Sequence, residues 1–171
     1  MTSCLQPDRE AFARALLVKA LSQHRAGRTS EGIRLLRKAT DMSPQSAELR
    51  YWCAVMNFET GSLDEALDCT LNGLSLQPDD ARLLEMEGDI LMRTGERRRA
   101  ADSYGSCVQA LKQKGLLGYW EPWLKLARAQ LSLGMASEAR ATYEEVLILN
   151  PGLAEAQEAL DRLRARRCCN G

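Results

Sequence analysis

The 171-residue chain is long enough for one ordinary domain and too short to expect two. It holds 27 Leu and 22 Ala against 3 Ile and 4 Val, so the β-branched residues that favour strands are nearly missing and an all-α fold is expected. Lys plus Arg and Asp plus Glu both number 23, which removes the global field that recruits nucleic acid or an anionic membrane; a composition 45% hydrophobic and 27% charged also argues against disorder.

Residues 1–12 read as an N-terminal segment running into a first helix. Asp8 and Glu10 interrupt it where a secretion signal needs an apolar core. The longest apolar stretch, Ala15-Leu16-Leu17-Val18, is far too short to span a bilayer. From residue 13 the chain repeats itself. Gly27, Gly61, Gly95 and Gly134 are spaced 34, 34 and 39 apart. Ala20, Ala54, Gly88 and Ala127 keep the same intervals, as do Gly32, Ala66, Ala100 and Ala139. Pro44 and Pro78 are 34 apart, and Pro151 follows 73 later. Each period reads as two antiparallel helices. Small residues twelve apart mark where the helices cross closely, and the glycine between them ends the first helix in a left-handed conformation. Ser62-Leu63-Asp64-Glu65 has the pattern of a capping box, and Ser46 and Asp80 stand at N-cap positions. Proline stops the second helix at Gln77-Pro78 and Asn150-Pro151. Lys112 replaces that proline in the third period, and 112–119 (KQKGLLGY) carries the five-residue insertion. A longer second helix and a loop are expected there, with a helix restarting near Pro122.

These residues resemble the tetratricopeptide repeat (TPR) family. The resemblance covers repeats at 13–46, 47–80, 81–114 and 120–153, followed by a capping helix at 154–167 and a tail at 168–171. The fourth repeat follows the family pattern most closely, with Trp123, Leu126-Ala127, Gly134, Ala139, Tyr143 and Asn150-Pro151. The first two depart from it at Lys19 and Arg50, and Thr70 stands where a large residue is usual. The resemblance implies a right-handed solenoid of antiparallel helix pairs, with a concave groove lined by the first helices. Its implied role is that of an adaptor or scaffold, receiving an extended segment or helix of a protein partner, with no catalysis and no cofactor. A dedicated chaperone for one client and a structural subunit of a larger assembly are the alternatives.

Carried over by position, the groove of the first repeat holds Arg14, Leu17, Leu21 and His24. That of the second holds Glu48, Tyr51, Val55 and Phe58. The third offers Arg82, Glu85, Asp89 and Met92, and the fourth Glu121, Leu124, Arg128 and Leu131. The expected partner site is Leu17, Leu21, Tyr51, Val55 and Phe58 for apolar anchors, with Arg82, Glu85, Asp89 and Arg128 meeting charged groups. The plain alternative is that Tyr51 and Phe58 only pack against a neighbouring helix, as apolar stripes usually do. One TPR subgroup grips the C-terminal carboxylate of heat-shock chaperones with Lys, Asn and Arg side chains. The corresponding residues here are Leu17, Leu21, Trp52, Arg82 and Met86, and apolar groups cannot hydrogen-bond a carboxylate, so that clamp is disfavoured.

The six cysteines, Cys4, Cys53, Cys69, Cys107, Cys168 and Cys169, include no C-x-x-C pair, and His24 is the sole histidine. No metal site or disulfide framework is indicated, and a cytoplasmic location with reduced thiols is expected. Cys53, Cys69 and Cys107 read as small core fillers. Arg97-Arg98-Arg99 and Arg162 to Arg167 read as solvated helix faces without the interleaved aromatics that stack on bases. Membrane attachment would require acylation of Cys168 and Cys169, and the Asn170-Gly171 ending fits prenylation poorly. No nucleophile with a base, and no phosphate-binding glycine loop, supports a small-molecule substrate.

Overall fold

The computed structural model describes residues 6–168, with side chains over 8–165; Cys4, the side chain of Cys168 and the tail from Cys169 lie outside the described residues. Within them the chain forms nine α-helices and no strand. These are α1 (Gln6–Arg25), α2 (Thr29–Met42), α3 (Ala47–Glu59), α4 (Leu63–Leu76), α5 (Ala81–Thr94), α6 (Arg97–Gln113), α7 (Glu121–Ser132), α8 (Ala136–Leu149) and α9 (Ala154–Cys168). No described helix is long and apolar enough to cross a membrane. The chain divides into two compact halves, Met1–Pro78 and Asp79–Gly171.

The turns inside the helix pairs share one construction. Gly27, Gly61, Gly95 and Gly134 all have φ between +76° and +89°, a region where a Cβ is strained. At Gly61 the chain closes with Ser62 N–H donating to Asn57 O at 2.9 Å and Gly61 N–H to Phe58 O at 3.1 Å. The same pair of bonds recurs at the other three glycines, which satisfies the last carbonyls of each first helix. All eight small residues expected at the helix crossings are buried.

The Ser62 capping box does not form. Ser62 has φ −78° and ψ 71°, and its side chain accepts no capping bond. The physical reason is the turn itself: Leu63 N–H donates back to Gly61 O at 3.0 Å, an inverse γ-turn that denies Ser62 the extended backbone a capping hydroxyl needs. Ser46 and Asp80 lie between helix pairs, where no such glycine turn intervenes. Both are extended, and both cap, Ser46 accepting from Leu49 N–H and Asp80 from Arg82 N–H.

In the N-terminal half, α1, α2 and α3 close on a core that includes Leu17, Leu36, Leu49, Cys53 and Met56. In the C-terminal half, Leu91, Ala100, Ala101, Tyr104 and Ala129 form a buried cluster. Without a proline at position 112, α6 runs on to Gln113 and ends at Gly115, another left-handed glycine. The insertion then leaves Leu116, Leu117 and Tyr119 exposed, and Pro122 sits in the first turn of α7.

Candidate interaction surface

In the N-terminal half, α1 and α3 carry the apolar residues expected in the groove. Leu17 is only 6% exposed and belongs to the core, with Leu21 packed partly against it. Tyr51, Val55 and Phe58 recur at i, i+4 and i+7 on α3, and all three are half-buried. Tyr51 meets Trp52 edge to face, with centroids 5.3 Å apart, and Trp52 packs on the core. His24 is held at both ring nitrogens, by Thr29 Oγ1 at 3.2 Å and by Glu59 at 3.1 Å. Three of the expected groove residues, Arg14, Leu17 and Glu48, line a cavity of about 300 Å³ together with Glu10, Ser46 and Leu49.

In the C-terminal half the charged residues expected in the groove are paired inside the chain. Lys125, on α7, donates to Glu85 Oε1 and Asp89 Oδ2 of α5, both at 2.7 Å. Asp89 Oδ1 accepts from the Tyr104 hydroxyl of α6 at 2.7 Å, and the Lys125 ammonium stands 6.0 Å from the Tyr104 ring centre. Burial opposes the charge on Lys125, but its bonds to Asp89 and Glu85 outweigh that and raise its pKa. Burial first, and then the Asp89 carboxylate, push the Tyr104 phenol well above its ordinary value. Arg128 forms a two-pronged pair with Glu155 of α9, through Nε at 2.5 Å and through Nη2. Arg82 pairs with the carboxylate of Asp80 at 2.8 Å. A second cavity, of about 210 Å³, is lined by Glu155, the partner of Arg128, with Leu131, Tyr143, Glu158, Ala159 and Arg162.

The structure therefore brings Glu85 and Asp89 together, and sets Arg82 and Arg128 in separate pairs. Sequence reasoning missed Lys125 and Glu155 as the groups that answer these charges. The available signal was spacing: Lys125 lies 40 residues after Glu85, one step beyond its equivalent in the next repeat. Among the described residues no three His, Cys, Asp or Glu side chains converge as a metal ion would require.

Two models of the tetratricopeptide repeat match the chain, over residues 23–90 and 85–154. No curated protein matches it. Among solved structures, MamA is 16% identical with a TM-score of 0.79, over 88% of this chain and 80% of that one. YrrB, a TPR protein with an unusual peptide-binding site, is 17% identical with a TM-score of 0.77, over 97% and 82%. The first TPR of Spaghetti (RPAP3), bound to the HSP90 peptide SRMEEVD, is 23% identical with a TM-score of 0.62, over 72% and 97%. At these identities the likeness establishes the fold, an all-α solenoid of helix pairs.

Proposed function

This chain belongs to the tetratricopeptide repeat family, and on that premise we propose that it is a protein-interaction adaptor whose first helices receive an extended segment or helix of a protein partner. The family is one of interaction modules. The observation that carries this reading is the row of half-buried Tyr51, Val55 and Phe58 on α3; in the same half Arg14, Leu17 and Glu48 line a cavity. Side chains at intermediate burial have apolar area left to lose, whereas Leu17 has already spent most of its own in the core. Leu17 thus shapes the floor of the site, and Val55 is the residue to perturb. On the C-terminal half, Glu85, Asp89, Arg82 and Arg128 offer a partner polar contacts through groups that are already paired. A heat-shock carboxylate clamp finds no support at Leu17, Leu21, Trp52, Arg82 and Met86, of which four are apolar. The reading requires no cofactor and fits a cytoplasmic setting.

Quantitative affinity purification of wild type against Val55→Arg tests it, after circular dichroism has established that the variant retains its helices. A specific set of proteins should fall about tenfold or more, as expected for a charge placed in an apolar contact. An unchanged set with intact helicity would overturn the assignment and move the site to another face, such as the insertion around Tyr119.

A further inference from the structure

We propose that the outer face of α1 is a self-association surface, where a second copy of this chain lays its own α1 antiparallel across the first. The face is apolar and open. Phe12 is 56% exposed and Val18 68%, and Ala11, Ala15 and Ser22 are exposed as well. At 3.6 residues per turn these five share one side of the helix with Asp8 and Lys19, opposite the buried Ala13, Leu17 and Ala20.

The next repeat shows what such a face does. The residues 34 positions after Ala15, Val18 and Ser22 are Leu49, Trp52 and Met56 of α3. Leu49 and Met56 are buried in the core shared with α2, and Trp52 packs against it. On α3, then, this side of the helix is where the preceding helix pair docks, whereas on α1 the same side is uncovered among the described residues. The small side chains of Ala11, Ala15 and Ser22 let another helix approach closely, while Phe12 and Val18 flank them with apolar area still to lose.

Charge selects the occupant. Asp8 stands in the first turn of α1 and Lys19 about three turns further along the same stripe, and neither is ion-paired among the described residues. A second α1 laid antiparallel, Ala15 against Ala15, brings the Lys19 of each copy within about 4.5 Å, along the axis, of the other's Asp8, at 1.5 Å of rise per residue. The two-fold axis repeats that contact, and Phe12 lies beside the aliphatic stem of the same lysine. A parallel pairing would instead set Asp8 against Asp8 and Lys19 against Lys19. The face is therefore complementary to itself in one direction only. One helix pair is a small interface, so the dimer is reversible and forms with rising concentration. Arg14, Leu17 and Leu21 lie off the stripe, which leaves the proposed partner site on α1 free.

Sedimentation velocity of the full chain tests this, from micromolar to near-millimolar concentration, with reductant present so that no cysteine bridge contributes. Wild type should pass from monomer to dimer. Val18→Arg changes an exposed residue, and with helicity confirmed it should weaken the dimer at least about tenfold. Asp8→Lys and Lys19→Asp should each weaken it too, whereas an equimolar mixture of those two variants should dimerise about as tightly as wild type, because opposite charges then meet at both contacts. A chain that stays monomeric throughout would overturn the proposal and leave this face to a different protein. A dimer that Val18→Arg leaves intact would overturn it as well, and so would a mixture of the charge variants that associates no better than either alone.

Discussion

In the N-terminal half the first helices present Leu17, Leu21, Tyr51, Val55 and Phe58, which sink into the core by degrees. In the C-terminal half the equivalent helices present Glu85, Asp89 and Arg128, each answered by an opposite charge from a neighbouring helix. One repeat architecture thus carries two kinds of surface. An apolar face binds by losing water. A face built of ion pairs must exchange internal partners for external ones, so it adds discrimination more readily than affinity. On the proposed reading the two halves divide the work, with anchoring at Val55 and selection at Glu85, Asp89 and Arg128.

The largest effect expected from a single methyl group tests how tightly each half is packed. A Cβ at Gly88 would stand 2.4 Å from the Tyr104 ring, and the ring, 2% exposed and tethered to Asp89 through its hydroxyl, has no room to retreat. Gly88→Ala should cost about 2 kcal/mol, the overpacking loss less what alanine gains in a helix. Gly32, in the N-terminal half, is also buried. There a Cβ would meet Ala20 O and Met56 Sδ at 3.0 Å, so the neighbours need give by only a few tenths of an ångström. Gly32→Ala should therefore change stability by no more than about 1 kcal/mol. Urea unfolding of the two variants checks the order; equal losses would mean that the Gly88–Tyr104 contact is no tighter than its counterpart.

Alkaline pH sharpens the same contrast. Tyr104 and Lys125 both hold their protons more tightly when folded than their ordinary values of 10.0 and 10.5 imply. Between those values and the raised folded ones the unfolded chain binds fewer protons, so stability is fully present below about pH 10 and falls as pH rises. Tyr104→Phe removes one of the two titrations and the bond to Asp89. It should cost about 1 kcal/mol at neutral pH and flatten the alkaline decline. Tryptophan emission, to which Trp123 buried in the C-terminal half contributes beside Trp52 and Trp120, follows the unfolding. A wild-type profile indistinguishable from that of Tyr104→Phe would show that burial and Asp89 do not hold the phenol's proton in solution.

The helix pairs were legible because backbone geometry enforces the signal. Only glycine takes φ near +80° without strain, so Gly27, Gly61, Gly95 and Gly134 write the period into the chain. The crossings at Ala20 and Ala54 are equally constrained, since larger side chains would force the helices apart. The absent proline at Lys112 foretold the longer α6. Side-chain pairing is a different matter. Lys125 lies one position past the equivalent of Glu85, so the bond depends on how α7 is rotated and which rotamer the lysine adopts. Glu155 was hidden for the same reason, because its pairing with Arg128 exists only once α9 is seated. Leu17 was assigned to a surface by its family position, and it is nearly swallowed by the core because α1 packs on both α2 and the cluster around Met56.

The capping residues give the smallest effects and separate two kinds of junction. Asp80 lies at the start of the C-terminal half, largely buried. Its carboxylate accepts from Arg82 N–H at 3.0 Å and from the Arg82 guanidinium at 2.8 Å. Burial opposes the charge, but those bonds prevail and hold its pKa below the usual aspartate value. Its contribution is therefore present above the unfolded-state pKa and lost as pH falls through the folded one. Asp80→Ala should cost about 1 kcal/mol at neutral pH, and Ser46→Ala, which loses a single longer bond of 3.3 Å, about 0.5 kcal/mol. Ser62→Ala should fall within about 0.3 kcal/mol of zero, because the inverse γ-turn after Gly61 has already satisfied Leu63 N–H and left the hydroxyl without a helix donor. A loss at Ser62 equal to that at Ser46 would mean that the capping box forms in solution and that the γ-turn gives way to it.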